Sequence, residues 1–129
     1  MSTLSPAVHL LFPLVAGETR LVIPLEETVL SAALKPASDR SQRLIVFVHG
    51  AASNASRWEE FVDTTALSQR WTLVRFDLRG HGASPARRPG RLENYADDIA
   101  AMIGAAGAHG PIVVVGHILG AAAALVLAR

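Results

Sequence analysis

No cysteine occurs among the 129 residues, which excludes disulfides, thiolate nucleophiles and cysteine-bound metal. A strong charge bias is missing too. Lys and Arg number 12 against 11 Asp and Glu, and no basic run exceeds the pair Arg87-Arg88. Nucleic acid and anionic membrane surfaces are therefore not expected as partners. Long apolar runs are also absent: Ile118 to Ala128 falls far short of the ~20 residues that span a bilayer and reads as a buried helix. The stretch Val8 to Ala16, VHLLFPLVA, has no Lys or Arg ahead of it and is interrupted by His9 and Pro13, so it is a poor secretory signal. These absences leave a cytoplasmic protein as the expectation. No internal repeat is found, which sets solenoids and propellers aside. With 50% hydrophobic residues, a chain of this length suits one domain with one core.

Along the chain, Ser2 to Ala16 and Arg20 to Leu25 read as extended segments parted by Gly17, and Thr28 to Leu34 as a short strand. Lys35 to Arg43 is a polar connection. Leu44 to Val48, LIVFV, is continuously apolar, as a parallel strand buried on both faces must be. Ser56 and Glu59 have the spacing of a capping box, and Trp58, Phe61, Val62 and Thr65 follow at helical intervals, predicting a helix over 56–69. Trp71 to Phe76 is the next strand, Asp77 to Pro85 a glycine-rich turn and Arg87 to Arg91 an exposed loop. Leu92, Tyr95, Ile99, Met102, Ile103 and Ala106 share one helical face, with Glu93, Asp97 and Asp98 assigned to the solvated side. Gly107 and Gly110-Pro111 end that helix. Ile112 to Val115 is a β-branched strand, followed by a sharp turn and an alanine-rich helix. Strands alternating with helices give an α/β fold with a mostly parallel sheet flanked by helices, and functional groups belong at the carboxyl ends of its strands.

Three motifs fall at those ends. They are Val48-His49-Gly50-Ala51-Ala52, the turn Asp77-Leu78-Arg79-Gly80-His81-Gly82-Ala83-Ser84, and Gly116-His117-Ile118-Leu119-Gly120. The last has the small-x-nucleophile-x-small outline of a nucleophile elbow, with isoleucine at its centre. Other readings are weaker. The elbow lacks the second glycine of a dinucleotide fingerprint, and no GK[ST] follows it. His49, His81 and His117 sit at strand ends near Asp77, yet no metal-ligand spacing is present, so neither metal nor cofactor is expected. His81 and Ser84 could pair chemically, but in a Gly80/Gly82 turn the scaffold role is favoured.

Taken in order, the three motifs resemble the α/β-hydrolase family over residues 20–129, which correspond to the N-terminal half of its core domain. The expectation is one incomplete, truncated domain over 1–129, with 1–19 an N-terminal extension or first strand. The resemblance implies an esterase- or lactonase-type hydrolase of ester-like carbonyl substrates. It places the oxyanion hole on the backbone amides of Ala51 and Leu119, and the turn scaffold on His49, Gly50, Asp77, Gly80, Gly82, Gly116, His117 and Gly120. Ile118 takes the nucleophile position but has no lone pair to attack a carbonyl. The family's acid and histidine follow the elbow, and none of the five histidines matches that position. An inactive hydrolase is therefore expected, the alternative being a non-catalytic protein that binds a small ester-like ligand or a partner. A role for His117 or Ser53 as improvised nucleophile is disfavoured. A β-branched residue at the elbow predicts either a relaxed turn or local strain. An uncovered Ile112–Val115 strand predicts self-association through its edge.

Overall fold

The computed structural model describes residues 4–129. Its five strands are β1 Thr19–Pro24, β2 Val29–Lys35, β3 Leu44–Val48, β4 Thr72–Phe76 and β5 Ile112–Gly116. They form one sheet in the order β1-β2-β4-β3-β5. β3 pairs in parallel with both β4 and β5, while β2 is antiparallel to β1 and β4, so only β2 runs against the rest. The helices are α1 Glu59–Thr64, α2 Leu92–Ala106 and α3 Leu119–Leu127.

Alternation along β3 divides the core between the two faces of the sheet. Leu44, Val46 and Val48 join Val74, Phe76, Ile99, Met102 and Ala123 in the layer under α2 and α3. Ile45 and Phe47 turn the other way, onto Val62 of α1 with Trp58 and Trp71 beside them. Burial on both faces explains why this strand is apolar without interruption.

Several expectations are corrected. Ser2 and Thr3 lie outside the described residues, and the rest of the first extended segment forms no strand, only a 3-10 turn at Val8–Leu10. The helix expected over 56–69 is three pieces: a 3-10 turn Ala55–Trp58, α1, and a 3-10 turn Ala66–Gln69. Ser56 does not cap it. The Asn54 side chain accepts from the Ser56 amide instead. At Thr65 the backbone turns extended, and the Thr65 hydroxyl accepts from the Leu67 amide, ending one helix and capping the next turn. The α3 helix is only half covered: Gly120 and Ala123 are buried, whereas Leu125 is exposed.

Candidate active site at the carboxyl ends of the strands

β5 leads directly into α3 through residues 117 and 118. Ile118 is the N-cap, at φ 51° and ψ −100°, a region that costs a β-branched residue about 1–3 kcal/mol. Strain, not relaxation, is the outcome. The neighbours impose it: the His117 amide donates to Val48 O at 3.0 Å, and the Gly120 and Ala122 amides donate to His117 O and Ile118 O at 3.0 Å each. No side chain fits at either glycine of the turn. A Cβ on Gly120 would stand 2.5 Å from Val48 O, and one on Gly116 would strike the Ala121 backbone. The Ile118 side chain is left 73% exposed at the tip.

Across from it, β3 ends in His49, whose ring is fully buried. Its Nε2 accepts from the Leu78 amide at 3.0 Å, so Nδ1 carries the hydrogen and donates to Gly50 O at 2.7 Å. Burial drives the His49 pKa down to about 4, with nearby His81 adding to the effect and the Gly50 bond opposing it. The carbonyl it holds shares a planar peptide with the Ala51 amide, which therefore points the opposite way, away from His49. Among the described residues neither the Ala51 nor the Leu119 amide donates a backbone hydrogen bond. Gly50 packs against the His117 ring, and His117 Nε2 accepts from Arg57 NH2 at 3.2 Å.

The turn after β4 is a closed network. Asp77 accepts from the Ala55 amide at 2.7 Å and the Ala83 amide at 2.9 Å, while burial pushes its carboxyl up. The Ser84 hydroxyl donates to Asp77 O and accepts from the Ser31 amide. His81 Nδ1 meets Arg79 O at 3.0 Å, with its ring 5.0 Å from that of His49. Gly80 and Gly82 supply the positive φ the turn requires. The Ser84 hydroxyl is thus spent on backbone, which leaves it no part in a catalytic pair with His81.

A sequence profile of the Alpha/beta hydrolase family matches residues 45–129. The chain belongs to that family. It is 43% identical over 79 residues to a 2-(acetamidomethylene)succinate hydrolase of Mesorhizobium japonicum, a match covering 60% of this chain and 27% of that protein. Among solved structures, the Q244E mutant of a protein described as a "putative epoxide hydrolase" from Pseudomonas aeruginosa superposes with a TM-score of 0.75 at 26% identity, over 91% of this chain and 38% of that one. An E-2-(acetamidomethylene)succinate hydrolase gives 0.71 at 32% identity, over 86% and 39%. The chain thus spans about a quarter to two-fifths of the length of these relatives.

Within this partial α/β-hydrolase fold, two buried ion pairs escaped sequence reasoning. Asp98, assigned to the solvated helix face, is fully buried. It takes a fork of bonds from the Arg79 guanidinium, the shortest 2.7 Å, and one from the Arg79 amide at 3.0 Å. Burial raises its carboxyl against the pull of Arg79. The signal was present: Asp98 stands three residues after Tyr95 and four before Met102, on the apolar stripe. Arg75 of β4 is likewise fully buried, joined to Glu18 at 2.7 Å and laid over the Phe12 ring at 4.5 Å. It fixes the N-terminal segment to the sheet. A charged residue inside WTLVRF called for a counter-ion, but nothing local named Glu18. No helix among the described residues is long and apolar enough to cross a membrane, and no group of three or more potential ligand side chains there could hold a metal ion.

Proposed function

We propose that this chain carries the elbow and oxyanion portion of a hydrolase for ester-like carbonyl substrates, and that isoleucine at position 118 leaves it unable to form an acyl-enzyme. The observation that carries the reading is the strained Ile118 backbone at the tip of the β5–α3 turn, which holds a nucleophile's conformation without a nucleophile's chemistry. In the reaction so assigned, a group at 118 attacks the carbonyl, and the Ala51 and Leu119 amides receive the developing oxyanion. Donors of that kind contribute about 3–4 kcal/mol each to the transition state. Isoleucine supplies neither electron pair nor proton. His49 cannot serve as base, because its lone pair already accepts the Leu78 amide.

A second reading is supported by the exposure of Ile118: an apolar tip beside unspent amides suits a non-catalytic site for a small carbonyl ligand. Hydrolysis of a short-chain p-nitrophenyl ester separates the two. The chain and its Ile118→Ser variant should both be inactive alone. A chimera joining residues 1–129 to the remaining part of an active relative should hydrolyse the ester only with Ile118→Ser. Turnover by the chain itself would sink the hydrolase reading as stated. An inactive but folded serine chimera would favour the binding role.

A further inference from the structure

The turn after β3 carries the Ala51 amide, and its shape is not one its own residues favour. The Ser53 amide donates to Gly50 O at 3.3 Å, closing the turn, and Ala52 stands at φ 56°. Glycine or asparagine normally fills a turn position of that kind. Ala51 and Ala52 bring no polar side chain to hold the turn from within, so its two ends must hold it. Gly50 is one end, with its carbonyl taken by the His49 ring at 2.7 Å. Ala55 is the other.

Ala55 is fully buried and held three ways. Its amide donates to Asp77 at 2.7 Å, its carbonyl accepts from Arg75 Nη1 at 3.2 Å, and its methyl shares a small apolar cluster with Phe12 and Ala33. Two of these holds come from the N-terminal segment. Arg75 leaves β4 on the face it shares with its register partners Ala33 and Phe47. A guanidinium buried there needs an anion. Glu18 gives it both carboxylate oxygens, at 2.8 and 2.7 Å, and Pro13 O accepts a further bond at 2.8 Å. Glu18 is itself set by Val15, whose amide donates to Glu18 Oε1 at 2.8 Å and whose carbonyl accepts from the Glu18 amide at 3.1 Å. One guanidinium thus ties the segment around Pro13 and Glu18 to the far end of the turn.

We propose that Glu18 is a positioning residue for the turn from Gly50 to Ala55: by fixing Arg75 against Ala55 O, it holds the Ala51 amide in place without touching it. Use of that amide as an oxyanion donor rests on the hydrolase reading, whereas the bracing of the turn does not.

Residue-resolved amide hydrogen exchange on the full chain tests the brace. No activity is read, so failure of the hydrolase reading leaves the result standing. Glu18→Gln combined with Arg75→Met removes the pair without leaving an unmatched buried charge. In that variant the exchange rates of the Ser53 and Ala55 amides should rise at least about tenfold more than those of Val46 in β3 and Ile99 in α2, and the Ala51 amide resonance should shift. Glu18→Gln alone keeps the size and one acceptor oxygen, and should raise the same two amides by about threefold over the reference pair. Lys35→Met removes another bond on the same face, from Lys35 Nζ to Val62 O at 3.0 Å, and should produce no such difference. A selective rise missing from either Glu18 variant, a rise shared evenly with Val46 and Ile99, or the same pattern in Lys35→Met would each overturn the proposal.

Discussion

The turn after β4 and the elbow after β5 follow strands that flank β3 on opposite sides, yet their conformations are held in opposite ways. In the first, polar side chains do the holding: Asp77, Ser84 and His49 each satisfy backbone groups, and Arg79 is locked to Asp98. In the elbow, close backbone contact does it, and the central side chain is an exposed isoleucine. Polar residues that look chemical are thus spent on the scaffold, while the side chain at the tip of the elbow is apolar and exposed. A polar side chain spent on backbone is not available for reaction, whatever its type.

The comparison breaks most severely if the polar network fails. Asp98→Ala leaves the Arg79 guanidinium with no counter-ion at a nearly buried site, and should cost about 3–5 kcal/mol in denaturant unfolding. A loss under 1 kcal/mol would mean that the Arg79–Asp98 pair does not hold the turn.

Acid tests the same network through His49. An imidazole held at about 4 when folded and near 6.5 when unfolded binds fewer protons folded throughout that interval. Its contribution is fully present above pH 6.5 and is lost as pH falls to 4, by about 3 kcal/mol. Asp77 and Asp98 work the other way, because burial raises both above 3.8. They gain protons in the folded state first and offset part of the loss at the acid end. Stability measured from pH 7 to 4 should therefore fall, and the slope should flatten in His49→Gln. An unchanged slope in that variant would place the acid sensitivity elsewhere.

The elbow predicts a smaller effect of opposite sign. Ile118→Gly relieves the backbone strain while exposing one more flexible residue, a net gain of about 1 kcal/mol. Most exposed helix-start substitutions to glycine stabilise nothing, so a loss on unfolding assays would show that the elbow is not strained. Smallest is the effect at the sheet edge. β5 pairs only with β3 among the described residues, and Ile112 and Val113 remain 43% and 41% exposed. The opposite edge, β1, carries Arg20 and Pro24 as blunting residues. We expect concentration-dependent self-association of the chain in sedimentation, reduced by Val113→Lys. A monomer at all concentrations would remove the edge as an association surface.

Much of this was legible in order and period. The run LIVFV announced a doubly buried strand, and the three strand-end motifs announced a shared edge. Local patterns report neighbours within a few residues, and these features are local. The ion pairs and hydrogen bonds are not: Glu18 meets Arg75 across 57 positions, Leu78 meets His49 across 29, and Asp98 meets Arg79 across 19. Only the folded sheet brings those groups together. By itself the sequence determined the order of the main strands and helices from β3 onward and the positions of the three strand-end motifs. The tertiary structure decided which polar groups are spent, that Asp98 and Arg75 are buried, and that Ile118 is strained, because each depends on backbone that close packing delivers from distant parts of the chain.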